Sequence, residues 1–281
     1  MNIAVVTDST AYLTPEERQR YNIRMIPLSV TLEDGVYEEE IEITTAQFYD
    51  KVRTTKTFPK TTQPPVGKYV ELFEELAKEY DDVISIHLSS GISGTFAGAV
   101  QAAGMVEGIN VHVFDSEISC SPQGFYAKKA SEMINAGANV NEIMTKLEEM
   151  KAKMRAYFVV DDLSHLQRGG RLSSAAALVG GLLQIKPVLH FENKVIVPFE
   201  KIRTKKKALK RVEDLLAEDA AKYKHLQGTV IHANCEDEAK KWMAELSEKY
   251  PNVDFHLSYF GPVIGTHLGE GSLGMGWVEK D

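Results

Sequence analysis

Several features that would each name a chemistry are missing from this sequence. It has two cysteines, Cys120 and Cys235, far apart in the chain. Such a pair forms neither a disulfide framework nor a zinc pattern, and reads as two reduced core thiols. The eight histidines show no metal-ligand spacing, so no metal is expected. No G-x-G-x-x-G follows the first strand-like segment, and no Gly-Lys-Ser/Thr occurs, so the nucleotide-binding fingerprints are absent. Gly271 to Gly276 (GSLGMG) lacks the following helix that such a fingerprint requires. No apolar stretch approaches the ~18 residues of a membrane-spanning helix. No basic region precedes an apolar one at the start, so no secretory leader is expected and a cytoplasmic setting is. Positive charge is also short, with 32 Lys and Arg against 40 Asp and Glu, a net charge of -8. An acidic surface repels phosphate backbones, so nucleic acid is not an expected partner.

What is present is ordinary globular material: 281 residues, 43% of them hydrophobic. That length allows one large domain or two ordinary ones, with room for an interior ligand site. Ile3 to Thr7 is a β-branched run read as a buried strand, followed by a helix that Thr14 caps and Pro15 begins. Arg24 to Leu32 reads as one strand, and Thr44 or Thr45 caps a short helix through Val52. Phe58 to Pro65 holds three prolines and is expected to be an extended loop. Val66 to Tyr80 has helical spacing, Val83 to Leu88 is an apolar strand, and an alanine-rich helix runs to about Ala103. A strand at Val111 to Phe114 and helices at Ser121 to Asn135 and Asn141 to Met154 follow. This alternation predicts a parallel sheet with helices on both faces over residues 1–154.

The remainder, residues 155–281, predicts a second, mixed α/β domain. Tyr157 to Val160 is a strand, Asp162 to Gln167 a short helix, and Ser173 to Leu183 a helix of small residues. Lys186 to Phe191 and Lys194 to Pro198 form a hairpin turning at Glu192-Asn193. Thr204 caps a long helix to about Tyr223, strands at Gly228 to Ala233 and Val253 to Ser258 flank a helix at Glu236 to Lys249, and a last strand lies near Met275 to Val278.

Three loops could hold an anion. Ser89 to Thr95 follows a parallel strand and opens a helix, where free backbone N–H groups gather, and Ser89, Ser90, Ser93 and Thr95 add hydroxyl donors. The plain alternative is a helix cap with glycines shaping the turn. Thr61-Thr62-Gln63 is stiffened between Pro59 and Pro64; its alternative is a solvated connector. His267 lies among glycines and small apolar residues in Gly261 to Gly269, where it is either a hydrogen-bond donor or a structural histidine. His87 and His232 sit in strand-like segments and read as core. Gly91-Ile92-Ser93-Gly94-Thr95 approaches a serine nucleophile elbow, but Thr95 stands where the last glycine belongs. An esterase using Ser93 with His267 would also lack an acid to orient the histidine, so no catalytic set is expected. Lys201, Arg203, Lys205, Lys206, Lys207, Lys210 and Arg211 form the basic patch of an acidic chain: a solvated helix start, or a docking surface for an acidic partner or a transient membrane contact. Arg168 and Arg171 either pair with carboxylates such as Asp161 or join that surface.

Seven segments in order resemble one known family: Val6-Thr7-Asp8-Ser9-Thr10, Lys60-Thr61-Thr62-Gln63-Pro64, Leu88 to Thr95 (LSSGISGT), Asp115-Ser116, Gln167 to Ser173 (QRGGRLS), Ile185-Lys186-Pro187 and Gly261 to Gly269 (GPVIGTHLG). The chain is similar across its length to the DegV family, fatty-acid-binding proteins that serve as the lipid-carrying subunit of bacterial fatty acid kinase. The resemblance implies two α/β domains with one long-chain fatty acid in a tunnel between them. Its carboxylate would be held by Thr61, Ser93 and His267, with Thr62, Gly94 and Thr95 in the supporting loops. It implies no other cofactor. A separate ATP-binding kinase subunit would phosphorylate the bound acid, with Arg203 serving docking and transfer. A lipid-responsive regulatory or interaction protein is the alternative reading. One departure stands out: where the family usually has a Ser and then a Gly after Asp115-Ser116, this chain has Cys120 and Pro122, so that loop is expected to differ in shape.

Overall fold

A computed structural model describes residues 2–172 and 186–280. Three sheets organise these residues. Strands β1 (Ile3–Asp8), β2 (Ile23–Ile26), β6 (Asp82–His87) and β7 (Asn110–Asp115) form a parallel sheet in the order β2-β1-β6-β7. Between β2 and β6 lie three short strands, β3 (Ser29–Leu32), β4 (Gly35–Glu38) and β5 (Lys60–Thr62), paired antiparallel in the order β4-β3-β5. The third sheet is mixed and six-stranded, ordered β10-β9-β8-β13-β11-β12. It uses β8 (Arg155–Val159), β9 (Val188–Glu192), β10 (Val195–Glu200), β11 (Leu226–His232), β12 (Val253–Tyr259) and β13 (Leu273–Glu279).

The parallel sheet is covered on both faces, and the two-residue period of a strand explains how. In β1, Ile3 and Val5 pack with Ile84 and Ile86 against helices α5 (Ser121–Asn135) and α6 (Val140–Lys153). Ala4 and Val6 point the other way, into a cluster with Tyr69, Phe73 and Leu76 of α3 (Val66–Leu76) and Ala99 and Ala102 of α4 (Thr95–Ala103). The mixed sheet alternates in the same manner but toward unlike neighbours. Tyr157, Val188 and Val230 pack with Val212 and Leu216 of the helix Lys205–Lys222 and with Trp242 and Leu246 of the helix Glu236–Lys249. Phe158, Leu189 and Ile231 face a central cluster shared with Val30, Phe48, Leu88, Val263 and Ile264. Local chemistry fixes the helix starts: Thr14, Thr44 and Asn139 each close a capping box with the Glu or Gln three residues on.

Several expectations need correction. Arg24 to Leu32 is two strands, because Pro27 lacks the N–H to continue a ladder and the chain passes from the parallel sheet into the antiparallel one. Phe58 to Pro65 is not all loop: Pro59 and Pro64 remove only their own donors, and Lys60–Thr62 between them pairs with β3 as an edge strand. Gly261 to Gly269 is largely helical over Pro262–Leu268, and every residue of that helix is buried. Its burial on all sides removed the amphipathic period that would have revealed it. The hairpin turns one residue later than expected, at Asn193 and Lys194, whose φ values of 49° and 72° suit a type I′ turn. The expected helix at Ser173 to Leu183 lies outside the described residues.

Candidate functional site

A cavity of about 280 Å³ opens where the antiparallel sheet, the loop after β6, the helix Pro262–Leu268 and the inner face of the mixed sheet meet. Thr61, Ser93 and His267, from three distant segments, line it together with Thr62, Gln63, Gly94 and Arg171. The other walls are apolar, among them Leu28, Phe158, Ile231, Val263, Leu268 and Met275. The polar residues are the more accessible ones: Thr62 is exposed and Thr61, Ser93 and Arg171 half-buried, whereas Phe158, Ile231 and Met275 are buried. One end of the cavity is therefore polar and near the surface, and the rest is an apolar interior.

The local geometry is tightly built. His267 Nε2 lies 2.8 Å from Thr61 Oγ1, tying the helix Pro262–Leu268 to β5. Burial, and then the nearby Arg171 and His165, push the His267 imidazole down to about 3, so the ring is neutral at ordinary pH. A neutral ring that donates Nε2–H to Thr61 leaves the threonine proton free to point into the cavity. The other ring nitrogen, Nδ1, is buried with no hydrogen-bond partner among the described residues. A side chain at Gly169 would overlap that nitrogen, so bare backbone is needed there.

Ser93 Oγ accepts from Thr95 N–H at 3.3 Å and shares a 2.8 Å hydrogen bond with Thr95 Oγ1. When Thr95 donates, the Ser93 proton too is free for a ligand. Gly94 brings the two loops together, since any side chain at 94 would overlap the Gln63 amide. Three hydroxyls and an imidazole thus converge with their backbones packed, the arrangement of a site organised before its ligand arrives.

Of the two alternatives for Arg171, pairing with a carboxylate such as Asp161 or joining the basic surface, the structure shows neither. The guanidinium lines the cavity and donates to the carbonyls of Ile92 at 3.1 Å and Gly169 at 2.6 Å, while Asp161 is paired with Lys186. No carboxylate pairs with Arg171 among the described residues, and burial lowers its proton affinity. A half-buried, unpaired cation beside hydroxyl donors suits an anion. The sequence offers it only a carboxylate partner or the basic surface, with no sign that it turns inward. Arg168 instead lies over the Phe58 ring, 4.8 Å from its centroid, and bonds Ser164 Oγ.

Arg203 is exposed at the approach to the helix Lys205–Lys222 and does not line the cavity. In the same patch Lys205 pairs with Glu238, Lys210 with Asp214 and Arg211 with Glu200, so much of the patch's charge is compensated. Cys120 lines the cavity with φ 64° and ψ -158°, a backbone region costly for any side chain, and burial pushes its thiol up to about 12. Pro122 sits in the first turn of α5 and also lines the cavity. His232 is half-buried rather than core, and its Nδ1 has no hydrogen-bond partner among the described residues.

No hydrogen bond joins Ser93 to His267 among the described residues. A Ser–His–Asp series does occur elsewhere: Ser85 Oγ lies 2.7 Å from His87 Nε2, and His87 Nδ1 3.1 Å from Asp8 Oδ2. All three are fully buried inside the parallel sheet, where no substrate reaches them. Asp8 also accepts from Leu88 N–H and from Thr10, so this network anchors the ends of β1 and β6.

Residues 2–280 match the family described as "Uncharacterised protein, DegV family". The chain belongs to the DegV family. It is 61% identical over 281 residues to protein DegV of Bacillus subtilis, covering 100% of both chains, and 53% identical over 280 residues to a DegV domain-containing protein of Listeria innocua, covering 99% of both. Among solved structures, the DegV protein of Bacillus subtilis, described as a fatty acid binding protein, superposes with a TM-score of 0.96 at 60% identity over 100% of both chains. A DegV family protein from Thermus thermophilus, described by its fatty acid binding, superposes with a TM-score of 0.93 at 30% identity, again over 100% of both chains. The expected mixed α/β fold of this family, a parallel sheet followed by a mixed one, is the fold observed. Among the described residues no helix is long and apolar enough to cross a membrane, and no group of metal-ligating residues is present.

Proposed function

We propose that this chain binds one long-chain fatty acid in the cavity and presents its carboxylate to a separate kinase subunit. The observation that carries the reading is the cavity's division into a polar end, where half-buried Thr61 and Ser93 meet the buried His267, and an apolar interior. A sixteen-carbon acyl chain buries about fourteen CH₂ groups at roughly 0.8 kcal/mol each, about 11 kcal/mol gross. Ordering the chain and losing its free motion offset several of these, and the surplus supports a tight complex. Thr61 and Ser93 would each donate to the carboxylate, with His267 holding Thr61 in the donating orientation and Thr62, Gly94 and Thr95 supporting the loops. Arg171 would supply the compensating charge.

In this reading residues 1–154 and 155–281 act as two units closing on the ligand, and the chain has no catalytic set of its own. A carboxylate oxygen attacks the terminal phosphorus of ATP held by the kinase. The bond from that phosphorus to the bridging oxygen breaks, ADP leaves, and an acyl phosphate remains on the carrier. Arg203, on an exposed face outside the cavity, would contribute to docking and transfer. Use of cellular ATP sets this chemistry in the cytoplasm.

The test is the mass of the purified protein under native conditions and after denaturation. A mass excess matching a fatty acid, lost on unfolding, is the expected result; a ligand-free protein that ignores added oleate would refute the reading. For the kinase step, Arg203→Ala should leave oleate binding intact while slowing acyl-phosphate formation several-fold with added kinase subunit. Equal rates for variant and parent would remove Arg203 from the mechanism.

A further inference from the structure

The main cavity and a smaller one of about 140 Å³ have a wall in common, made by Ile118, Ala156, Tyr157 and Phe191. This wall lies away from His267. Past Val159, β8 gives way to the segment bearing Gly169, which abuts the His267 ring; Ala156 lies three residues back along the strand, about 10 Å toward the opposite end. One step beyond the Tyr157–His190 pair, the antiparallel register sets Phe191 opposite Ala156. Phe191 is half-buried and supplies the bulk of the partition. Ala156 offers only a methyl, and the Tyr157 ring packs with Val212 and Trp277 on the other face of the sheet.

The Phe191 ring is held in place. It lies 6.3 Å from the Phe158 ring, and its residue pairs across the hairpin with Ile196. The turn that follows is pinned to the parallel-sheet side, where Lys194 Nζ meets Asp115 and the Lys194 carbonyl accepts from Ser89 Oγ. Beyond the ring the surroundings change character: Ser116, Glu117, Lys151, Arg155 and Asn193 line the outer space. Their charges are matched within the protein, Lys151 by Glu148 and Arg155 by Asp219. A CH₂ group seated among apolar walls strengthens binding about fourfold. One pushed among these polar groups gains far less, because it displaces their water. Phe191 thus stands where both the space and the chemistry for an acyl chain change.

We propose that Phe191 determines the length of acyl chain this protein accepts: its ring closes the apolar end of the cavity, and the methyl end of the best-bound acid rests against it. The proposal rests on the fatty-acid reading above, and its test separates the two. The full chain is stripped of lipid, and a fluorescent fatty acid is displaced with saturated acids from twelve to twenty-two carbons. In the parent, affinity should climb with length to a maximum and then fall. Phe191→Ala should join the two spaces, move the maximum to longer chains, and tighten binding of the acid two carbons past the parent's maximum by about 4–16-fold, the gain of one or two seated CH₂ groups. Phe191→Trp should move the maximum to shorter chains. Adding Ala156→Phe to Phe191→Ala returns a ring to the passage from the facing strand, and should bring the maximum back toward the parent's. Should Phe191→Ala not fold, Phe191→Leu keeps an apolar wall and should show the same shift at smaller size. One maximum shared by the parent, Phe191→Leu and Phe191→Trp would overturn the role of Phe191 while leaving fatty-acid binding in place. Failure of every acid to bind the parent would remove both.

Discussion

The parallel sheet and the mixed sheet differ in what covers them. Helices cover both faces of the first, and its interior strands β1 and β6 are wholly buried. Helices cover one face of the second, while its other face, through Phe158, Ile231 and Phe191, borders a cavity. Space for a ligand arises where the helical cover of one sheet face is incomplete, between α5 and α6 on β13 and the helix Pro262–Leu268, and the solid sheet supplies a rigid frame whose loops carry Ser93 to the rim. The comparison makes measurable claims about where stability and binding reside.

The largest effect should come from the solid side. Ile84→Ala, in the middle of the doubly covered sheet, should cost about 3–4 kcal/mol of unfolding free energy and leave fatty-acid affinity unchanged. Ile231→Ala, which already borders empty space, should cost about 2 kcal/mol in denaturant unfolding, because fewer neighbours lose contact. Equal costs would break the comparison. Next comes the rim. Ser93→Ala should weaken fatty-acid binding by about 10–100-fold, the range for a hydrogen bond to a charged group, with little change in the stability of ligand-free protein. An unchanged Kd in a displacement assay would take Ser93 out of the site.

A third prediction concerns the joint between the two sides. Glu39 is fully buried and accepts from Ser9 Oγ at 2.6 Å, Val263 N–H at 2.9 Å and Tyr12 OH at 3.2 Å, fastening the start of the helix that bears His267. Burial raises its carboxyl to about 8 from a usual 4.5. The folded state therefore binds the proton more tightly than the unfolded chain. Glu39's contribution is complete below about pH 4.5 and is lost as pH rises through about 8. Between those values stability should fall with rising pH, and Glu39→Gln should flatten that slope in thermal unfolding. A variant with the parent's slope would show that other groups set it.

The smallest effect belongs to the hairpin tip that crosses between the sides. Lys194 Nζ lies 3.0 Å from Asp115, and its carbonyl accepts from Ser89 Oγ at 2.6 Å. The lysine side chain is half-exposed, so Lys194→Ala should cost at most about 1 kcal/mol. The backbone contact would remain, and bound fatty acid should leave only slightly faster in a stopped-flow release assay.

Much of this architecture was legible in the sequence, for identifiable reasons. The β-branched runs at Ile3 and Val83 and the Thr14-Pro15 helix start announce elements by their own chemistry, whereas the Asn139 cap, two residues before the expected start at Asn141, emerges only in the structure. The helix Pro262–Leu268 did not, being short, glycine-containing and buried all round, and β5 is three residues between prolines. Thr61, Ser93 and His267 were singled out by loop chemistry and family resemblance, and the fold brings them to one cavity. Arg171 was missed as part of that cavity because a cation following two glycines gives no local sign that it faces inward.

The close approach of Gly169 to the His267 ring has a practical consequence. A single methyl there would intrude on the imidazole of His267 and swing it off Thr61, without itself reaching Thr61 or Ser93. Position 169 is thus a remote dimmer for the headgroup clamp. Alanine would detune the grip, valine would detune it further, and both leave every donor in the protein chemically intact.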